Sequence, residues 1–201
     1  MGMTVATLRD AFARLNRGLA AATDALNTLD GQLGDGDLGV TVAKAFARLD
    51  EIGPTLPDDL GAAFAACGSA ISKVSSSSFG TLMAVSCLAA SKKLKGISDL
   101  PWAEVPSLLE VARDTVASRG KSQLGQKTVL DALDAAAKGA ERSTHPAAML
   151  RGALDAVRER MDGLRNEPAQ IGRARIFGDK TRGMDDPGMK AFETMLASLA
   201  A

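Results

Sequence analysis

An acidic, glycine-rich segment holds the residues of this chain that are best suited to bind a charged ligand. It places three carboxylates, Asp30, Asp35 and Asp37, within eight positions, and Gly34, Gly36 and Gly39 bend the chain around them. Positions 34–39 match G-x-G-x-x-G, the turn that holds a pyrophosphate in dinucleotide-binding folds. That turn follows a β-strand, whereas the residues before this one have a helical pattern. The aspartates at its variable positions would also repel a phosphate unless a cation lies between them. The segment therefore predicts a metal-dependent phosphate site.

The chemistry of the three carboxylates narrows the choice of metal. Carboxylate oxygens suit Mg²⁺ or Ca²⁺ rather than zinc. An EF-hand is excluded because its twelfth position is Glu, whereas counting from the three aspartates that position is Thr41, Phe46 or Arg48. Mg²⁺ takes a few carboxylates and completes its coordination with water and phosphate oxygens. The same residues also fit a plain Asp/Gly turn between two helices, with Asp37 capping the second.

A run of serines before an apolar helix is a second candidate anion site. The segment reads Ser75-Ser76-Ser77-Ser78-Phe79-Gly80-Thr81. Backbone N–H groups and hydroxyls at the start of a helix donate hydrogen bonds to anions. The alternative is a flexible Ser linker followed by an ordinary N-cap. Ile71, Val74 and Leu82 on either side of the run argue against a linker.

A third candidate lies in the segment 166–186, which is rich in Gly, Arg and Asp and poor in apolar residues. Arg173 and Arg175 can bind a phosphate through their forked guanidinium groups. Long irregular segments inside compact domains are usually functional. The alternative is a solvated, disordered connection.

The residues that could act as nucleophiles are few. His145 is the single histidine and precedes Pro146, where it is expected to cap a helix or lie on the surface. A Ser/His or Cys/His mechanism contained within this chain is therefore not expected. Cys67 and Cys87 lie in apolar, helix-like surroundings, which predicts buried thiols in a reducing compartment. We therefore expect a cytoplasmic protein.

The composition limits the class of protein. Basic and acidic residues both number 24 among 201 residues, and this balance gives no reason to expect nucleic acid or an anionic membrane as a partner. No apolar run approaches the roughly 18 residues of a membrane span. Arg9 and Asp10 follow the start closely, so a secretory signal is not expected. The length suffices for one domain with a full core, over residues 1–201.

The elements that must position these segments are predicted to be helices. Apolar residues recur three and four positions apart on one face of a long first helix: Leu8, Phe12, Leu15, Leu19, Ala22, Leu26 and Leu29. Gly, Pro, Ser and Asn at the breaks predict seven more helices, near 40–49, 58–73, 78–94, 102–118, 124–140, 146–165 and 187–200. Aromatic residues make up only 3%, and alanine dominates the apolar set, which favours closely packed helices. The prediction is an all-α bundle or helical barrel.

Four segments, in this order, resemble the L subunit, or nucleotide-binding domain, of the dihydroxyacetone kinase family. One such segment would be a weak signal, but four in order over about 30–190 are quite specific. They are the acidic loop from Asp30 to Gly39, the run Ser77–Thr81, Arg119-Gly120-Lys121 with Gly125–Asp131, and Gly172–Thr181 with Asp185–Gly188.

The resemblance implies a barrel of eight antiparallel helices with a nucleotide site at one rim. Asp30, Asp35 and Asp37 would hold two Mg²⁺ ions that bridge to the phosphates of ADP or ATP. The other implied nucleotide-binding residues are Leu38, Gly39, Val40, Thr41, Ser77, Ser78, Gly120, Val129, Arg173, Asp186, Pro187 and Gly188. Gly39, Thr41 and the two serines would lie against the phosphates or ribose. Gly120 and Val129 would border the adenine, and the last four would close the site.

The resemblance also implies partners. The ketose would be carried by a separate K subunit, bound covalently to a histidine there, and ADP could be recharged by a phosphotransferase-system protein. Leu38 replaces a usual His, Gln126 a usual Asp and Phe79 an expected Gly. Because of Leu38 and Gln126, two alternatives stay open. One is a kinase for another small ketose, and the other is a non-catalytic regulator with the same fold. A structural bundle whose acidic loop is only a turn is the third alternative.

Overall fold

The computed structural model describes residues 2–201, and within them the chain is helical. The eight α-helices are α1 Val5–Leu33, α2 Leu38–Ile52, α3 Leu60–Val74, α4 Ser78–Lys93, α5 Pro106–Gly120, α6 Val129–Ala140, α7 Pro146–Leu164 and α8 Pro187–Ala200. Short 3₁₀ turns cover Gly53–Thr55, Trp102–Glu104 and Arg173–Thr181. In the same residues the only β pairing is one bridge between Met3 and Leu100. None of these helices is both long and apolar enough to cross a bilayer. The all-α prediction is confirmed.

The helices form a closed ring. Each helix packs against the next along the chain, and α8 returns to pack against α1. This order of neighbours agrees with the predicted barrel. Short connections join most of the pairs, as in up-and-down helical folds.

The core follows the apolar faces of the helices. Leu8, Phe12, Leu15, Leu19 and Leu26 of the predicted α1 stripe are buried, while Ala22 and Leu29 are partly exposed. One large apolar cluster joins this stripe to α2, α3 and α4, and a second joins α6, α7 and α8. Alanines make up much of the second cluster, which lets its helices approach closely.

Two helices begin later than their sequence patterns predict. α6 begins at Val129 rather than near 124, because Thr128 and Asp131 form a capping box there. Gly125 and Lys127 before it have left-handed φ values of 89° and 61°, which no helix continues through. α5 begins at Pro106 rather than 102, since the 3₁₀ turn Trp102–Glu104 precedes it. The consequence is an irregular loop, 121–128, between α5 and α6.

The two cysteines lie among the packed helices, and the histidine lies at the start of a helix. Cys67 is buried, Cys87 is partly buried, and both are free thiols. Burial raises the pKa of each thiol to about 12, so both stay protonated and unreactive at neutral pH. His145 is exposed at the N-cap position of α7 but makes no side-chain capping bond. The predicted surface position is therefore confirmed, and the predicted capping bond is absent.

We predict that Gly139→Ala destabilises the protein by about 2 kcal/mol through overpacking between α6 and α7. A Cβ at Gly139 would lie 2.2 Å from the carbonyl oxygen of Gly152, which is too close for any atom. Urea unfolding measures the change. Gly163→Ala on α7 is the matched control, since its Cβ would meet nothing within 4 Å. This substitution should raise the free energy of unfolding by about 0.5 kcal/mol, because alanine favours a helix over glycine. Equal stability for Gly139→Ala and the native protein would contradict this packing.

Candidate functional site

A cavity of about 600 Å³ lies at one rim of the ring, where several helix ends meet. The N-termini of α2, α4, α6 and α8 reach its lining, as do the C-terminal turns of α1 and α5. Helix N-termini carry unpaired N–H groups and partial positive charge, so this rim favours an anion. Most of the predicted site residues line the cavity: Asp30, Asp35, Asp37, Leu38, Ser77, Ser78, Gly120, Val129, Arg173, Asp186, Pro187 and Gly188.

Gly39, Val40 and Thr41 were also predicted at the site, but the cavity lining does not include them. Their turn of α2 packs on α1 instead. A Cβ at Gly39 would lie 2.1 Å from the carbonyl oxygen of Thr23, and the Val40 N–H donates to Asn27 Oδ1 at 3.2 Å. Thr41 is buried. Gly39 and the Val40 N–H thus face the neighbouring helix, while the Val40 side chain is 37% exposed.

The acidic loop brings its carboxylates together. One oxygen from each of Asp30, Asp35 and Asp37 lies within 4.8 Å of the others. Asp30, in the last turns of α1, accepts hydrogen bonds from the N–H groups of Asp37 at 3.0 Å and Leu38 at 3.3 Å, which closes the loop. Gly36 turns the chain with a φ of 75°, a value that favours glycine. Asp37 occupies the N-cap position of α2 without a capping side-chain bond, so its carboxylate does not serve as a helix cap.

The charges of the loop are only partly balanced. Arg173 forms an ion pair with Asp35 and holds the pKa of that carboxyl below its usual value. The pKa of Asp37 is raised, first by burial and then by the charges of Asp35 and Asp30. Three carboxylates therefore face one guanidinium. A divalent cation among these oxygen ligands would relieve the remaining repulsion.

The serine segment is an ordered helix start. Ser77 Oγ accepts from the Gly80 N–H at 3.0 Å as the N-cap of α4, and it contacts Ser75 Oγ at 3.1 Å. A Cβ at Gly80 would lie 2.1 Å from Ser75 Oγ, so the segment folds tightly on itself. Ser76, Ser77 and Ser78 all line the cavity. The N-cap is confirmed, and this hydrogen-bonded segment is not the flexible linker considered above.

An apolar wall completes the cavity. Leu82, Val116 and Val129 line it and belong to one apolar cluster with Leu130 and Leu133 behind them. Leu82 and Val116 were not predicted at the site, since they come from α4 and α5 and no motif marks them. Ser76, Phe79 and Thr81 line the cavity from within the predicted serine segment. The other lining residues that were not predicted individually are Leu33, Arg119, Ser122, Thr128, Ile171, Gly172 and Ala174. Several of these lie inside or beside the four recognised segments, and that position was the available signal.

The segment 166–186 is folded against the acidic loop. Ala169 and Ala174 pack on Leu33, the last residue of α1, and Thr181 is fully buried. The Ala169 N–H donates to Thr181 Oγ1 at 2.8 Å. The segment is therefore not a solvated connection.

A second recess of about 680 Å³ lies on the other side of Asp35. It shares Leu33, Asp35, Ser78, Gly172 and Arg173 with the first cavity. Arg175 lines this recess and not the first cavity, together with Ile176, whose surface is 77% exposed. The acidic loop thus contributes residues both to the rim cavity and to this recess.

The start of α8 contributes a partly buried acid to the cavity wall. Asp186 caps the helix by accepting from the Met189 N–H at 2.8 Å, and Pro187 follows at the first helical position. Burial raises the pKa of Asp186 to about 7, despite the opposing effects of that hydrogen bond and of Lys127.

Most of the chain matches the model of a known protein family. Residues 32–201 match the family described as DAK2 domain, and the chain belongs to that family. It is similar to the PEP-dependent dihydroxyacetone kinase, ADP-binding subunit DhaL, of Escherichia coli. The two are 24% identical over 180 residues, which cover 87% of this chain and 86% of that protein. The corresponding subunit from Listeria innocua is 29% identical and covers 81% of this chain and 79% of that protein.

Longer kinases contain a similar region. A putative 3,4-dihydroxy-2-butanone kinase of Solanum lycopersicum is 29% identical over 84% of this chain, which spans 30% of that protein. The crystal structure of the dihydroxyacetone kinase from C. freundii in complex with AMP-PNP and Mg²⁺ superimposes with a TM-score of 0.76 at 25% identity. That match covers all of this chain and 34% of the kinase.

We predict that the native protein loses stability as the pH rises from 5 to 7. The pKa of Asp186 is raised from 3.8 to about 7, so the folded state keeps a proton that the unfolded state releases. The stabilisation of the folded state by this bound proton is complete below pH 4 and is lost as the pH passes through 7. Urea unfolding at pH 5, 6, 7 and 8 measures the slope.

Asp186→Asn should flatten that slope, because the amide oxygen still caps α8 but the side chain no longer titrates. Exposed Asp179→Asn is the control and should keep the native slope. The same slope in Asp186→Asn as in the native protein would contradict the assignment.

Proposed function

We propose that this protein is the nucleotide-binding subunit of a ketose kinase. It binds ADP or ATP with Mg²⁺, and the phosphoryl group passes to dihydroxyacetone, or a related small ketose, held by a separate K subunit. The observation that carries the proposal is the rim cavity, where three carboxylates, the N-terminus of α4 and Arg173 converge. The names of the bacterial relatives and the AMP-PNP and Mg²⁺ complex of the C. freundii kinase support the same reading.

Asp30, Asp35 and Asp37 fit magnesium because they offer only oxygen ligands, gathered within 4.8 Å. We propose that they hold two Mg²⁺ ions, which neutralise phosphate charge when bound. Asp30 has a double role, since it also closes the loop through two backbone N–H groups. Asp35 and Asp37 do not close the loop in this way, so they are the better probes of metal binding.

The nucleotide fits the cavity in one orientation. Its phosphates face the acidic loop, Arg173 and the N–H groups at Ser77 and Ser78, where charge and hydrogen-bond donors lie. The base then lies against Gly120 and the apolar wall that includes Val129. The turn from Asp186 to Gly188 closes the site. Gly39, Val40 and Thr41 act by holding α2 against α1, and so by fixing the loop.

The ketose and the phosphoryl donor lie outside this chain in the proposal. His145 is exposed and is not among the residues that line the cavity. Covalent capture of a ketose is therefore assigned to the K subunit. A phosphotransferase-system protein in the cytoplasm is the proposed donor, in line with the PEP-dependent name of the Escherichia coli relative. If ADP is recharged in place, it stays bound through gel filtration, whereas an ATP-exchanging subunit loses it.

A regulator without catalytic activity is the second candidate. Leu38 lines the cavity, is 7% exposed and belongs to the core, where the resemblance would place a His. A buried leucine supplies no hydrogen bond beside the phosphates. Phosphoryl transfer to dihydroxyacetone in a mixture with a K subunit and a phosphoryl donor excludes this candidate. Mg²⁺-dependent nucleotide binding without transfer to any small ketose supports it.

We predict that ADP binds only with Mg²⁺ and that Asp35→Asn and Asp37→Asn each weaken this binding at least about tenfold. Each substitution removes one charged metal ligand and keeps the side-chain volume. Isothermal titration with ADP, in Mg²⁺ and in EDTA, measures the affinity.

Asp24→Asn serves as the control, because Asp24 is an exposed residue of α1 away from the cavity lining. It should bind Mg²⁺-ADP like the native protein. Binding that is equal with and without Mg²⁺, or unchanged in both loop variants, would overturn the proposed function.

A further inference from the structure

The side chain of Lys127 is buried and fully hydrogen-bonded, although no step of the proposed function uses it. Lys127 is 2% exposed. Its Nζ donates to the carbonyl oxygens of Arg165 at 2.9 Å, Glu167 at 2.9 Å and Thr181 at 2.8 Å. An ammonium group has three N–H donors, so every one is satisfied by backbone. Burying a charge costs free energy, and a charged group stays buried where hydrogen bonds such as these compensate that cost.

The three carbonyls mark both ends of one segment. Arg165 follows the last residue of α7, and Glu167 is the second residue of the segment 166–186. Thr181 is the last residue of the 3₁₀ turn in that segment. Arg173 lies between these points. The ammonium group of Lys127 therefore joins the two ends of the segment that contains Arg173, and it attaches both ends to the loop before α6.

The position of Lys127 is itself fixed. Asp131 Oδ1 accepts from the Gly125 N–H at 2.6 Å and Asp131 Oδ2 from the Thr128 N–H at 3.1 Å, on either side of Lys127. Arg160 of α7 donates to the same buried carboxylate at 2.7 Å. The left-handed φ of 61° at Lys127 sets the direction of its side chain. These hydrogen bonds therefore fix the loop that carries Lys127.

We propose that Lys127 is a positioning residue that holds Arg173 against the acidic loop, so that nucleotide binding depends on a side chain outside the cavity lining. From the anchored ends of the segment, Ala169 and Ala174 pack on Leu33 at the end of α1. Arg173 then reaches Asp35. This inference rests on the proposed function, because it concerns how the same cavity is assembled.

A double-mutant cycle with Mg²⁺-ADP tests the dependence. Lys127→Met keeps an unbranched side chain, one atom shorter, but removes the charge and the three donors, and it should weaken binding about tenfold. Arg173→Ala should weaken it too. Because both act through Arg173, the double variant should bind within roughly twofold of Arg173→Ala alone. Effects that multiply, or native affinity in folded Lys127→Met, would overturn the proposal.

Hydrogen exchange without nucleotide separates this inference from the proposed function. In Lys127→Met, amides of 166–181 should exchange faster while those of α2 and α3 keep native protection. Lys180→Met is the matched control, because it removes an exposed positive charge from the same segment and should change neither exchange nor affinity. If the native protein does not bind Mg²⁺-ADP, the proposed function fails. Unchanged exchange in Lys127→Met instead refutes the anchor.

Lys127→Arg decides the question if Lys127→Met does not fold. Arginine keeps the charge, but its planar fork does not match three carbonyls grouped around one point. It should fold, exchange faster than native in 166–181 and bind Mg²⁺-ADP more weakly than native. Native exchange and native affinity in Lys127→Arg would contradict the positioning role.

Discussion

Repulsion among three carboxylates is the constraint on which the site depends. One oxygen from each of Asp30, Asp35 and Asp37 lies within 4.8 Å of the others. Burial and then the charges of Asp35 and Asp30 raise the pKa of Asp37. The backbone enforces this proximity, since Asp30 binds the N–H groups of the loop and Gly36 supplies a left-handed turn. Arg173 offsets one charge. An arrangement that keeps like charges together in this way is suited to a cation rather than to fold stability.

The ring of helices makes that arrangement possible. α1 ends where the acidic loop begins, and α2 starts where it ends, so any relative motion of the two helices would separate the carboxylates. Their contact at Gly39, where even a Cβ would collide with α1, limits such motion. The same ring brings four helix N-termini to one cavity. The fold thus supplies positive partial charge for an anion beside negative charge for a metal.

Features set by local sequence were predictable, and features set by distant contacts were not. The α1 stripe, the acidic loop and the Ser77 cap follow from spacing and residue type within a few positions. The start of α6 was predicted near 124, whereas the capping box at Thr128 places it at Val129. The resemblance placed Gly39 at the nucleotide, and nothing in its local sequence indicated the close contact that it makes with α1. Val116 and Leu82 become neighbours only when α4 and α5 pack.

Lys127 shows why burial of a charged residue is hidden in a sequence. Its partners are backbone carbonyls at 165, 167 and 181, and a carbonyl carries no side-chain identity that a motif could reveal. Packing holds the helical walls of the cavity, while the wall that bears Arg173 depends on directional polar bonds to one ammonium. Directional bonds fix position without a large apolar area, which suits a segment that must stay at the surface. That segment also carries the exposed Ile176 beside the open recess. The hydrogen bonds of Lys127 therefore position both the part of this segment that faces the cavity and the part that faces outward.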